Sequence, residues 1–339
     1  MKSLLLIYAS LILLFFSCKN NSVDESDSGN LLNLNDSNII EKLSDQIRNN
    51  PSNADLFAQR SIVYTEKGKI EDALNDINIA VRLDSLKPDY YIRQSSLYLL
   101  MGKSEKAKQS LEKSNQLIPD NQETLLKLAE LYLLVKDYKV SEEYLNLTEQ
   151  INPNHERIFF LRGLISQETG NIPMAIIFFQ KALEKNPEFY EVNIILGLLF
   201  AEKNDSIAIS YYKNAIRLFP GSIEAYYNLA MYYQENDNPL KAIENYTFII
   251  DSIDQSYKLA YYNIGYNYLV NIKNYDIAIE YFDKAINIDH RYAEAYYNKG
   301  VCYEMKKDYK NARLEFETAN RLKENYEKAI EGLNRIQGK

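Results

Sequence analysis

Tryptophan is absent from this chain of 339 residues, and histidine and cysteine occur twice each. Two cysteines, Cys18 and Cys302, cannot build a multi-cysteine metal site or a disulfide framework. Glycine (11) and proline (8) are scarce. That scarcity disfavours a many-turned all-β protein and leaves long uninterrupted segments suited to helices. There is no Gly-rich phosphate loop, no nucleophile elbow and no HExxH, so catalysis is not expected and no cofactor is implied. The formal net charge of −8 is spread along the body, so the basic surface that phosphate backbones require is missing and nucleic acid is not an expected partner.

One long apolar run is present, over residues 4–16, preceded by a single lysine and followed by Ser17 and Cys18. Thirteen residues are fewer than the roughly 20 a bilayer-spanning helix needs, and suit the apolar core of a secretory signal. A cysteine directly after a small residue resembles the lipobox of bacterial lipoproteins, although Phe15 and Phe16 stand where Leu and a small residue are commoner. The resemblance implies a signal peptide over residues 1–17, acylation of Cys18, and a body held outside the cytoplasm on a bacterial envelope membrane, with the outer membrane the expectation. Residues 19–30 are polar and nearly free of large apolar groups, so residues 18–35 are expected to form a flexible tether behind the acylated cysteine.

Tyrosine, by contrast, occurs 29 times, and "AYYN" recurs at residues 225–228, 260–263 and 295–298. A longer period underlies it. Ala73, Ala107, Ser141, Ala175, Ala208, Ala242, Ala278 and Ala312 are spaced by 34, 34, 34, 33, 34, 36 and 34 residues. About twelve residues ahead of each lies another small residue, from Ser61 and Ser95 to Gly265 and Gly300. Four residues after each lies a large apolar or aromatic one, from Ile77 and Leu111 to Phe282 and Phe316. Residues three and four apart share a helix face, so each unit reads as a helix, a polar turn and a second helix, with small residues where the two cross.

Pro119, Pro153, Pro187 and Pro220 end four of the units; Asp254, His290 and Glu324 stand there in later ones and predict less sharp boundaries. Small, small, aromatic, small and proline at these offsets resemble the tetratricopeptide repeat. The resemblance spans residues 54–326, with Ser141 and Thr148 of the third unit its main departures. It implies an all-α, right-handed α–α superhelix of about eight helix-turn-helix repeats. Amphipathic helices should close both ends: residues 36–53 with Ile40, Leu43 and Ile47, and residues 327–339 preceded by Tyr326 and carrying Ile330 and Leu333.

In the repeat pattern, Tyr226, Tyr261 and Tyr296 belong to the packed helix face, whereas Tyr227, Tyr262 and Tyr297 should point into the concave groove. Its lining positions carry twelve acids and one base, Arg157, so the groove should repel anions. Part of that excess is ordinary, since acids suit the first turn of a helix; Glu66, Glu168, Glu202 and Glu235, near helix ends where the dipole disfavours them, stand out. Beside the acids of the last three units lie Met231, Tyr266, Leu269, Val301 and Met305. Rigid tyrosines and adaptable methionines suit peptide capture. The candidate partner-binding set is Tyr227, Met231, Tyr262, Tyr266, Tyr297, Val301, Glu202 and Glu235, for a protein or peptide segment with basic and apolar side chains. A glycan or small molecule in the tyrosine-rich groove is the alternative, and self-association through exposed apolar residues of the end helices is a third possibility. His155 and His290 fall in separate links between units, and Cys302 is expected to be a buried small hydrophobe.

Overall fold

The structure is a computed structural model and describes residues 38–339. The expected signal peptide, Cys18 and the tether lie outside the described residues. Eighteen α-helices and no strand occur among those that are described. They form two compact units, the first ending at Asn186 and the second comprising Pro187–Lys339.

In the first unit, α1 (Ile39–Asn49) precedes four helix hairpins: α2 (Ala54–Glu66) with α3 (Ile70–Leu83), α4 (Pro88–Leu100) with α5 (Ser104–Leu117), α6 (Gln122–Leu134) with α7 (Tyr138–Ile151), and α8 (Glu156–Glu168) with α9 (Ile172–Lys185). The second unit has four more: α10 (Tyr190–Ala201) with α11 (Ile207–Leu218), α12 (Ile223–Glu235) with α13 (Pro239–Phe248), α14 (Lys258–Tyr266) with α15 (Tyr275–Ile288), and α16 (Ala293–Met305) with α17 (Tyr309–Leu322). Helix α18 (Glu327–Arg335) follows them. Within each unit, each helix packs on its neighbours in sequence, as repeats must when none can bury its own apolar face.

The repeated small and large positions are volume partners. Ser61, Ser95 and Ala129 face the aliphatic side chains Ile77, Leu111 and Leu145 of their units, all fully buried. Where the first position is glycine, the second is an aromatic ring. A Cβ added at Gly163 would lie 2.5 Å from the Phe179 ring, and one at Gly197 2.5 Å from that of Tyr212. The pairs Gly265 with Phe282 and Gly300 with Phe316 are similarly close. The exception is Ala230 with Tyr246. In the third unit, Ser141 donates to the carbonyl of Ala129 at 2.8 Å and Thr148 to that of Tyr144 at 2.9 Å, so these buried hydroxyls are satisfied.

Every hairpin turns through one residue with positive φ: Gly68, Gly102, Lys136, Gly170, Asn204, Asp237, Lys273 and Lys307. Glycine adopts that conformation without strain and fills three of the turns. The 36-residue interval has an equally local cause. Two π-helical segments, Ile249–Ile253 and Asn267–Ile272, continue α13 and α14. Each takes up one inserted residue within a helix, which keeps the flanking faces in register.

Three expectations about helix ends are corrected. Boundaries after units lacking proline are as sharp as the others: Asp254 and Asp289 adopt the same extended conformation as Ile118 and Asn152. Their carboxylates accept from the amides of Ser256 and Arg291, a local turn that does the work of proline. At the start, Ile39, Leu43 and Ile47 are buried, with Ile40 only partly so. At the end, Tyr326, Ala329 and Ile336 are buried, and Ile330 faces outward. Both shifts follow from where the helix begins, because one residue of register turns its face by about 100°.

Candidate functional site

Helices α12, α14 and α16 carry the three "AYYN" copies, and both tyrosines of each pair are partly buried. The second is the more deeply engaged. The ring of Tyr227 meets Tyr246 of its own repeat at 5.6 Å and Tyr257 at the start of the next at 6.0 Å. Tyr262 repeats this with Phe282 and Tyr292, and Tyr297 with Phe316 and Tyr326. The asparagine of the motif completes the joint. Asn263 donates to the Tyr227 hydroxyl at 3.1 Å, and Asn298 to that of Tyr262 at 2.8 Å, each across 36 residues. The first tyrosines pack more superficially, Tyr226 stacking on Phe248 at 4.4 Å. The motif is therefore a ladder between repeats whose outer edges form a tyrosine face.

Glu235 is exposed at the end of α12, and its charge reaches hydroxyls of the tyrosine cluster. Burial first, with the charge of Glu235 contributing in each case, holds the hydroxyls of Tyr212, Tyr227 and Tyr246 above the usual tyrosine range. Burial and the neighbouring Tyr227 push Tyr257 up to about 12. These hydroxyls stay protonated donors at neutral pH. Tyr266 lies close enough to Tyr262 to influence its hydroxyl. Met231 packs at the margin of the Tyr227 cluster, and Val301 between those of Cys302 and Phe316. Glu202, exposed at the end of α10, belongs to the same unit but makes no hydrogen bond or ion pair with these groups. All eight predicted residues thus fall within the second unit.

The acid count needs correction. Five of the twelve acids are matched by bases: Asp55 by Lys87, Glu130 by Lys127 and by Arg157, the one base of the counted set, Glu168 by Lys136, Glu294 by Lys323, and Glu304 by Arg335. Of the remainder, Glu191, Glu202, Glu224 and Glu235 lie in the second unit and make no ion pair with any described residue. Glu66, Asp89 and Glu123 of the first unit likewise make no ion pair with any described residue, so unpaired acid is not confined to the second; there, Glu224 and Glu235 act on hydroxyls of the tyrosine cluster.

A second set of polar residues went unnoticed in the sequence. Arg60, Arg162 and Lys299 replace a leucine-like position one residue before the small residue of their first helices. Arg60 donates to both carboxylate oxygens of Asp76, at 2.6 and 2.8 Å; Arg162 pairs with Glu142 and Glu149; Lys299 pairs with Asp283 and Glu315. A charge at a position that is aliphatic in sister repeats was the available signal. His155 caps α8, its Nδ1 accepting from the amide of Arg157 at 3.2 Å, and His290 is exposed in the other unit. Cys302 is fully buried, and burial pushes its thiol up to about 12, so it packs as a small hydrophobe.

Tetratricopeptide repeat family models match residues 88–121 and 259–291, and, in a second version, 211–244 and 281–314. The windows 88–121 and 259–291 each cover one hairpin, and 211–244 and 281–314 begin within α11 and α15 and end within α13 and α17, the same period in a shifted phase. The chain is a tetratricopeptide repeat protein. No curated protein matches it significantly. Among solved structures, a monomeric mutant of IFIT1 with Gppp-AAAA is similar at TM-score 0.52 and 16% identity, over 84% of this chain and 76% of that one. A tetratricopeptide repeat protein from Parabacteroides merdae is similar at TM-score 0.47 and 18% identity, over 74% and 98%. The APC/C hetero-tetramer Cut9-Hcn1 is similar at TM-score 0.48 and 16% identity, over 88% of this chain but only 58% of that one, less than two thirds of its length. The repeat family is typically non-catalytic and generally binds proteins or peptides. The fold therefore suggests a protein-interaction scaffold.

Proposed function

We propose that the protein is a non-catalytic adaptor, tethered to a bacterial envelope membrane through acylated Cys18, that holds a protein segment with basic and apolar side chains against the tyrosine face of its second unit. The observation that carries the reading is the combination on that face: the partly buried rings of Tyr227, Tyr262 and Tyr297, with burial holding the hydroxyls of Tyr227 and Tyr262 protonated, beside glutamates that no described base neutralises. Tyrosine edges supply apolar area at low entropic cost, and the acids select a cationic segment.

The binding half is tested with a panel of lysine- and apolar-rich peptides measured by fluorescence anisotropy. The variant Glu202→Lys with Glu235→Lys reverses charge at two exposed positions and should spare the fold. It is expected to weaken the best peptide at least tenfold, and 0.5 M salt should do the same. Equal affinity in wild type and variant would discard the site. Tyr227, Tyr262 and Tyr297 are poor probes, because each also supports the core.

The anchoring half is tested separately. Cys18→Ser is expected to lose acyl label and to leave the membrane fraction, because the acyl chains provide the attachment. No described helix is long and apolar enough to cross a membrane. A variant still labelled and still sedimenting with membranes would refute the anchor and leave the peptide site untouched.

A further inference from the structure

The first unit has a cleft of about 260 Å³ between α4 and α5, lined by Tyr91, Gln94, Tyr98, Lys106, Ser110 and Lys113, with Gln109 at its edge. Comparison with sister repeats explains why it exists. In three of them a ring three residues after the first small position stacks on a ring three residues after the second. These pairs are Tyr132 with Tyr144 at 5.7 Å, Phe200 with Tyr211 at 5.6 Å, and Tyr268 with Tyr281 at 5.9 Å, all nearly parallel. In the second repeat the equivalents are Tyr98 and Ser110. The sixth repeat also lacks a second ring there, but stacks Tyr226 on Phe248 one turn further on. At that further place the second repeat has Tyr91 and Lys113. Both stacks are missing from the second repeat, as they are from the first, fourth and eighth; those three carry an ion-paired Arg60, Arg162 or Lys299 where the second has uncharged Gln94, and in the second two tyrosine rings line an open slot.

The chemistry around the slot is specific. Lys106 lies over the Tyr98 ring at 5.7 Å, and neither it nor Lys113 forms an ion pair with any described residue. Seven residues apart on α5, they sit two turns apart on one face. Between them, Ser110 donates to the Gln94 side-chain carbonyl at 2.6 Å, and the Gln94 amide donates to Asn78 at 2.7 Å. Amide and hydroxyl groups with spare hydrogen-bonding capacity thus occupy the middle of the cleft, with rings along one helix and ammonium groups along the other. The chain is acidic overall, at −8. Beyond a Debye length of about 8 Å that charge is screened; of the nearer acids on α5, Glu112 lies 3.8 Å from Lys108 and Glu105 accepts from Gln109 at 3.4 Å, while the cations lining the slot are the two lysines.

We infer that this cleft binds an acidic sugar, a pyranose ring carrying a carboxylate. The apolar C–H face of such a ring stacks on Tyr98 in the place a second aromatic ring takes in sister repeats. Its hydroxyls exchange hydrogen bonds with Gln94, Gln109 and Ser110, and its carboxylate meets Lys106 or Lys113. A flat aromatic acid would satisfy the lysines but leave the amides and hydroxyl unpaired. A neutral sugar would leave the two ammonium groups unused. The site is in the other unit from the tyrosine face and does not depend on the peptide reading.

Titration calorimetry on the mature chain with oligogalacturonate, glucose oligomers and benzoate tests the inference. Oligogalacturonate should bind, with glucose oligomers and benzoate at least tenfold weaker. Lys106→Ala with Lys113→Ala changes exposed side chains only and should reduce binding at least tenfold. Ser110→Tyr rebuilds the stack of the sister repeats; it should abolish binding while raising the melting temperature. Absence of oligogalacturonate binding, equal binding of glucose oligomers or benzoate, or retention of binding in the lysine double variant would overturn the assignment.

Discussion

Phe316→Ala is expected to destabilise the second unit by about 3–5 kcal/mol, the range for emptying a fully enclosed aromatic site. Phe316 is fully buried and clamped from two sides. A Cβ added at Gly300 would come within 2.7 Å of its ring, and one at Gly332 within 2.8 Å. Helices α16 and α18 both approach through glycine, so their backbones lie against the ring and cannot collapse into the space without moving as rods. Tyr297 at 5.7 Å and the Arg335 guanidinium at 6.0 Å complete the enclosure. Because repeat stability is a sum of local and nearest-neighbour terms, the damage should concentrate in α16–α18. Hydrogen exchange should show protection lost there first, with α10–α12 nearly unchanged. A cost below about 1 kcal/mol, or protection lost evenly through the unit, would show that the ring is not the keystone of the terminal hairpin.

The same ring shows what the sequence makes legible. A small residue, another about twelve positions later and a large one four after that, repeated eight times, are enough to read paired helices, because the pattern records side-chain volumes at a crossing. The conformation of the insertion was not legible: the 36-residue interval announces two extra residues, and only the backbone shows one absorbed in each π-segment. Charge was read least well. Counting acids at groove positions ignored bases that reach them from turns, helix ends and the end helix, as Arg335 reaches Glu304. The tyrosine pairs were half read. Their recurrence is plain, but the hydrogen bond from Asn298 to Tyr262 joins consensus residues of adjacent units, and single-repeat reasoning cannot see it. The Ser110 cleft was illegible for a related reason: a serine at a tolerant position means something only once sister repeats are seen to stack rings there.

Glu130→Gln is expected to cost about 3–5 kcal/mol at pH 7, the range for removing one partner from a buried ion cluster, and the cost should shrink steadily in acid. Glu130 is buried on α6, with Lys127 at 3.0 Å and Arg157 at 2.8 Å. Burial alone would raise its carboxyl; the charges of Arg157 and Lys127 outweigh that and bring it from 4.5 to about 2. A carboxyl lowered on folding stabilises the native state above its unfolded value, and that contribution is lost as pH falls through the folded value. The window therefore runs from about 4.5 down to about 2, and the linked stability is on the order of 3 kcal/mol. Nearby Glu123 works the other way: burial raises its carboxyl, so protonation favours the folded form and partly flattens the acid edge. Urea unfolding of wild type and Glu130→Gln between pH 7 and pH 2.5 separates the two effects, because Glu123 is common to both proteins. The gap between them should narrow toward pH 2.5, and a constant gap would mean that Glu130 contributes packing rather than charge.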